Sequence, residues 1–141
     1  MTEGADSTPP ALPADAENIS IAGFNRFAGP FYRLADDGDA RRFAFVALPH
    51  HMNGAGTVHG GLLMTFADIA MSRTSRLVSG ARSCSTVALN CDFMGPGRLG
   101  DLIVATARVT RRTRTLVFLG AELATAGRTV MTATGLWKIV P

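Results

Sequence analysis

Cysteine is scarce in this chain: Cys84 and Cys91 are the only two among 141 residues. Seven positions apart, they fall on opposite faces of any strand they share, which argues against a disulfide or a common metal site and suits a reducing compartment. Histidine offers no metal centre either. His50 and His51 are adjacent and point apart in an extended segment, and no carboxylate stands at His-Glu-x-x-His spacing, so neither a metal nor another cofactor is expected. A Gly-x-Ser-x-Gly elbow is absent, which removes the commonest sequence signal of a serine nucleophile. Long apolar runs are missing too. The longest uncharged apolar stretch, Leu62 to Ala67, is far too short to cross a bilayer, and the first residues are acidic and proline-rich rather than basic and apolar. These features predict a cytoplasmic protein with no membrane partner. A single Trp, a single Tyr and no basic aromatic motif make nucleic acid a poor partner as well.

What is abundant is arginine. The net charge is +3, but Glu3, Asp6, Asp15 and Glu17 lie ahead of the first cation, so residues 18–141 hold fourteen cations against seven acids, a net +7. All but one of those cations are arginines, whose planar fork suits phosphate and carboxylate groups. With 47% apolar residues the chain has enough material for one real core. Residues 1–18, carrying Pro9, Pro10 and Pro13, have little to bury and read as a disordered tail, leaving residues 19–141 as a single domain.

The organising stretch runs from His59 to Met71. Gly60 and Gly61 open a helix with apolar side chains at 62, 63, 64, 66, 67, 69, 70 and 71, apolar nearly all round and therefore expected to be buried. Its first turn carries unpaired N–H groups and the positive end of the helix dipole, and glycine lets a ligand atom come close to them, so that end suits an oxyanion or a carbonyl oxygen. Asp68 breaks the apolar pattern. Met64, Thr65, Met71 and Ser72 occupy the positions where a helical salt-bridge partner would stand, and none is cationic. Asp68 is thus a candidate base, unless it pairs with an arginine such as Arg73 or faces solvent.

Around this helix the chain reads in order as a short amphipathic piece over Ile19–Phe27, strands over Phe31–Ala35 and Arg42–Leu48, and a glycine-rich loop, His50–Val58. The helix stops near Ser79-Gly80. Four strands follow at about Ser85–Met94, Asp101–Thr110, Thr115–Thr125 and Thr129–Ile139, the last three joined by hairpin-like turns. One long helix against a mostly antiparallel sheet that wraps it defines an α+β domain.

Asn53-Gly54-Ala55-Gly56-Thr57-Val58-His59-Gly60-Gly61, then Asp68 nine residues after the histidine, then Thr86-Val87-Ala88-Leu89-Asn90-Cys91-Asp92-Phe93-Met94-Gly95-Pro96, together resemble the hotdog-fold acyl-CoA thioesterases of the phenylacetate-degradation (PaaI-like) type, within the 4-hydroxybenzoyl-CoA thioesterase superfamily. The resemblance spans residues 28 to 140. It implies hydrolysis of an acyl-CoA or aryl-CoA thioester without a cofactor. Gly60 would donate its amide to the thioester carbonyl oxygen, and Asp68 would act as general base or nucleophile, with both roles open. Asn53 and Thr86 would place the water or the carbonyl. His59, beside the donor glycine, would orient the loop and substrate together with Gly61 and not transfer protons. Members of this family build each site from two subunits, which implies a homodimer or homotetramer.

Arg111, Arg112 and Arg114 crowd a predicted hairpin turn, either as a solvated tip or as contacts for the phosphates of coenzyme A. Two other functions fit the same fold: a non-hydrolytic acyl or CoA binding module, and a dehydratase. Dehydration is disfavoured because His59 lies nine residues from Asp68, off the same helix face.

Overall fold

The computed structural model describes residues 12–141, so most of the expected tail lies outside the described residues; within it, Glu17 and Asn18 form a short strand. Ten elements follow the chain: β1 (Glu17–Asn18), α1 (Gly23–Ala28), β2 (Tyr32–Arg33), β3 (Arg41–Val46), a 3-10 turn at Pro49–His51, α2 (Gly60–Ser79), β4 (Ser83–Phe93), β5 (Leu102–Arg112), β6 (Leu116–Thr125) and β7 (Arg128–Val140). The strands form one seven-stranded sheet in the order β1-β2-β3-β5-β6-β7-β4, every neighbouring pair antiparallel. This is the hotdog arrangement, a long curved sheet around one helix.

β5, β6 and β7 are sequential hairpins, as the turns at Thr113–Thr115 and Ala126-Gly127 dictate. β4 does not pair with the strand that follows it. It crosses the sheet to pair with β7 and becomes an edge.

Alternation of apolar residues explains the core. Ile103, Ala105 and Ala107 of β5, Val117, Leu119 and Leu123 of β6, and Met131 and Trp137 of β7 face α2 and are buried, with Val130, left unpaired at a register shift between β6 and β7, buried beside them. From α2 they meet Leu63, Phe66, Ala67, Ala70 and Met71, spaced to make one broad face. The helix is therefore not buried all round: Gly61, Met64, Arg76 and Leu77 are exposed, and Asp68, Ile69 and Ser72 are half-buried. Its length comes from favourable ends. His59 caps the N-terminus with its side chain, and Gly80, at φ 68, closes the C-terminus in the left-handed region that glycine enters freely.

The expectation for the cysteines needs correction. A register shift at Thr86/Ala88 makes Val87 an extra, bulged residue, and beyond it the side-chain alternation inverts. Cys84, Leu89 and Cys91 consequently all pack on the core face, and both cysteines are free.

Candidate functional site

Three segments meet at the start of α2: the loop before it, the end of β4 and the segment around α1. The loop is folded by its own asparagine. Asn53 Oδ1 accepts from the amides of Ala55 (2.9 Å) and Thr57 (3.0 Å), and Asn53 Nδ2 donates to Thr57 Oγ1 at 2.9 Å. A bridge between Met52 and Val58 closes the loop, and the His59 amide donates to the His51 carbonyl at 2.9 Å. Most of the Asn53 side chain is thus spent on loop geometry, as an asparagine turn requires.

The two glycine amides then part ways. His59 Nδ1 accepts from the Gly61 amide at 2.8 Å, while the Gly60 amide has no partner among the described residues. The histidine satisfies one of the orphan donors and leaves Gly60 as a free N–H at the positive end of a 20-residue helix. Over it lies Phe93 from the end of β4, whose ring would stand 3.3 Å from a Cβ placed at Gly60. Glycine here makes room for that ring.

Two turns further on, the expected residues Asp68 and Thr86 come together. Thr86 Oγ1 donates to Asp68 Oδ1 at 2.6 Å, a short charge-assisted bond from β4 to α2. Thr86 immediately precedes the bulge, which is what allows both it and Phe93 to turn towards α2 from one strand. Among the described residues no cation lies within ion-pair distance of Asp68, so the arginine partnership does not form. The remainder of the carboxylate opens into a cavity of about 190 Å³ shared with Asn25, Ser72, Arg73 and Arg76. Ser72 is held there by the buried Trp137, whose indole N–H donates to Ser72 Oγ at 2.6 Å.

A larger cavity, about 560 Å³, lies on the same outward face of α2 towards its N-terminus, between Gly61, Leu62 and Thr65 and the aromatic side chains of α1. The sequence reading missed Phe24, Phe27, Asn25, Ser72 and Phe93. The first two carried a signal as unpaired aromatics in a short amphipathic piece, and Phe93 stood inside the motif after Thr86 without being given a role.

His50 and His51, weighed above only as metal ligands, have structural work. The Leu48 amide donates to His51 Nδ1 at 3.0 Å, so the ring's proton sits on Nε2, which donates to the carbonyls of Ala28 (2.7 Å) and Gly29 (3.2 Å). His50 Nε2 donates to the Gly29 carbonyl at 2.8 Å. Burial holds the His51 pKa below the ordinary imidazole value, reinforced by the neighbouring His50 and opposed by the bonds to Ala28 and Gly29.

The arginines of the β5–β6 turn are not brought near Asp68. Arg111 and Arg112 belong to β5, with Arg114 in the turn itself, and all three are exposed. Arg112 Nη1 donates to the Val78 carbonyl at 2.8 Å, tying the turn to the C-terminal end of α2, where a cation also complements the helix dipole.

The sheet wrapped on a single central helix, with a free helix-end amide and a carboxylate two turns along, is the architecture of the hotdog thioesterases. The sequence model of the thioesterase superfamily matches residues 55–132, more than half of the chain, and the chain belongs to that superfamily as a thioester hydrolase. A Pseudomonas aeruginosa protein that bears the name "putative esterase" is 34% identical over 115 residues, covering 79% of this chain and 84% of that protein. Human acyl-coenzyme A thioesterase 13 is 38% identical over 77 residues, 52% of each chain. Among solved structures, the E. coli PaaI protein from the phenylacetic acid degradation operon superposes with a TM-score of 0.72 over 79% of this chain and 80% of that one, at 23% identity, a likeness of fold.

Proposed function

We propose that this protein hydrolyses acyl-CoA or aryl-CoA thioesters in the cytoplasm, in a dimer or tetramer whose sites are shared between subunits. The observation that carries the reading is the separation of a free oxyanion donor from a hydrogen-bonded carboxylate on one helix. Eight residues divide Gly60 from Asp68, about 12 Å along the axis. An amide must lie about 3 Å from the carbonyl oxygen, and a base must reach the attacking water at a similar distance. One chain's pair cannot serve one thioester, whereas antiparallel helices of two subunits bring the Gly60 of each to the Asp68 of the other.

In that arrangement the Gly60 N–H and the helix dipole stabilise the oxyanion as it forms. Asp68 takes a proton from the attacking water, oriented by Thr86, and the thiolate of CoA leaves. Asn53 keeps the loop, and His59 keeps the Gly61 amide occupied, so that a single donor faces the substrate. A nucleophilic role for Asp68 uses the same groups with the carboxylate attacking directly. The arginines of the β5–β6 turn, Arg111, Arg112 and Arg114, lie remote from Asp68 and would contact the nucleotide end of CoA; Arg112 does so only if it releases Val78.

Two measurements test this. Release of free thiol from a panel of CoA thioesters separates a hydrolase from a non-hydrolytic binding module, and an inactive but CoA-binding protein would end the enzymatic reading. The shared site is tested by Gly60→Pro, which deletes the donor at a helix position that tolerates proline, with His59 already extended at ψ 131. A Cβ there meets the half-exposed Phe93 ring at 3.3 Å. Gly60→Pro alone should cost about 10²- to 10³-fold in kcat. Mixed with Asp68→Asn, it should recover up to about a quarter of the parent activity, because half of randomly mixed dimers then carry one intact site. No recovery in verified mixed dimers rules out sites built from two chains.

A further inference from the structure

We infer that α1, held in place by His50 and His51, is the acyl-recognition wall of this enzyme and selects a bulky apolar acyl group over acetyl. The inference rests on the thioesterase reading above and adds to it the class of acyl chain. The cavity of about 560 Å³ is lined by Phe24, Phe27 and Ala28 of α1, by His50, His51 and Met52 of the loop that follows β3, and by Leu62 and Thr65, with His59 and Gly61 at the start of α2 bounding one end. A carbonyl resting on the Gly60 amide therefore has this cavity beside it. None of its lining residues is Arg or Lys, whereas the cavity around Asp68 holds Arg73 and Arg76. Charge thus sorts the two ends of the substrate: an apolar acyl group suits the first cavity, and the polar CoA arm does not. The volume lies in the range that encloses a sizeable organic group and would leave acetyl mostly unpacked.

The wall itself has little reason to stay where it is without help. α1 has six residues, none of them buried, and is too short for intrinsic helical stability. Phe24 is 64% exposed and Phe27 81%, so most of the apolar area of these rings is left uncovered by the protein's own core. They lie three residues apart, on one face of the helix. What fixes α1 is its C-terminal end, where the Ala28 and Gly29 carbonyls accept from the two histidines. His51 is anchored in turn, edge-on to Phe45 with centroids 5.2 Å apart, and 1% exposed. His50 and His51 thus position α1 while also lining the cavity, and Phe24 and Phe27 supply its apolar wall.

The test compares kcat/KM for acetyl-CoA, octanoyl-CoA and phenylacetyl-CoA in the parent, Phe24→Ala, Phe27→Ala, His50→Ala and His50→Gln. In parallel, calorimetry measures the binding of the non-cleavable S-octyl thioether of CoA against CoA itself. Alkyl and aryl sources of the acyl group are told apart by which of the two bulky thioesters the parent prefers. The ratio of bulky to acetyl kcat/KM should fall about tenfold or more in the phenylalanine variants, in line with lost packing in a hydrophobic pocket. A smaller fall is expected for His50→Ala, with recovery in His50→Gln, whose amide can donate to Gly29. The affinity advantage of S-octyl-CoA over CoA should shrink in parallel. Unchanged ratios with an unchanged affinity advantage overturn the inference, as does a change of oligomeric mass in the phenylalanine variants without a change of ratio. Should the parent cleave no thioester at all, the hydrolase reading falls, and the thioether arm still decides whether α1 recognises the apolar chain.

Discussion

The two edges of the sheet are built in opposite ways. At one edge, β1 and β2 are two residues each, short strands that offer little backbone to another chain, and the segment between them carries α1. At the other, β4 runs for eleven residues with most side chains exposed, among them Val87 and Phe93 at 57% and 53%, and Met94 just beyond it is 60% exposed. A long apolar edge of this kind is a liability in a monomer and a pairing surface in an oligomer. The bare edge is also the one that reaches the candidate site, through Thr86 at Asp68 and Phe93 at Gly60. The blunted edge faces the apolar cavity. On the reading proposed above, the bare edge supplies the groups that hold the carboxylate and the blunted edge carries the acyl wall, while both cavities open along one face of α2.

The largest expected break in that division is Asp68→Asn, which keeps the shape and the Thr86 contact but can neither accept a proton nor attack. Loss of general-base action should lower kcat by about 10²- to 10⁴-fold with the circular dichroism spectrum unchanged. A variant retaining more than about a tenth of the parent rate would remove Asp68 from the chemistry. Next comes the edge itself. Val87→Asp buries a charge in any pairing made along this apolar edge, and light scattering should then report monomers, with turnover down by about 10²-fold for want of a partner's amide. Active monomers would break the link between edge and site.

A smaller effect sharpens the comparison within β4. Thr86→Ala removes one hydrogen bond to a charged group and should cost about tenfold in kcat, with Thr86→Ser restoring most of it. Equal losses in both variants would point to packing and away from the hydroxyl. The smallest effect belongs to the β5–β6 turn. Arg111→Ala with Arg114→Ala should raise KM about threefold with little change in kcat, and added salt should do the same, since exposed charges are screened over about 8 Å. A short pantetheine thioester lacking the nucleotide should show neither effect. Arg112→Ala is kept apart because it also frees the Val78 carbonyl, and its cost in thermal stability should be about 1 kcal/mol.

Much of this was legible in the residues. The glycine pair, the periodicity of α2 and the alternation in β5, β6 and β7 are local patterns, and local patterns carry the element types and the hairpin pairings. Asp68 announced itself as a carboxylate without a helical partner, and Thr86 through the motif around it. What misled was also local. Counting apolar residues around α2 overstated its burial, because composition cannot say which side a sheet will cover. Counting seven positions between Cys84 and Cys91 failed because one bulged residue inverts the faces of a strand.

By itself, then, the sequence determined an α+β domain with one central helix, a glycine-marked helix start and a carboxylate two turns beyond it, since each of these rests on spacing along the chain. Only the tertiary structure decided that β4 crosses to pair with β7 and ends as a bare edge, that Thr86 rather than an arginine meets Asp68, that His59 occupies the Gly61 amide and leaves that of Gly60 free, and that two histidines hold α1 over an apolar cavity. These are contacts between residues up to 65 positions apart, as in Trp137 with Ser72. They arise when the sheet closes around the helix, and no local periodicity encodes them.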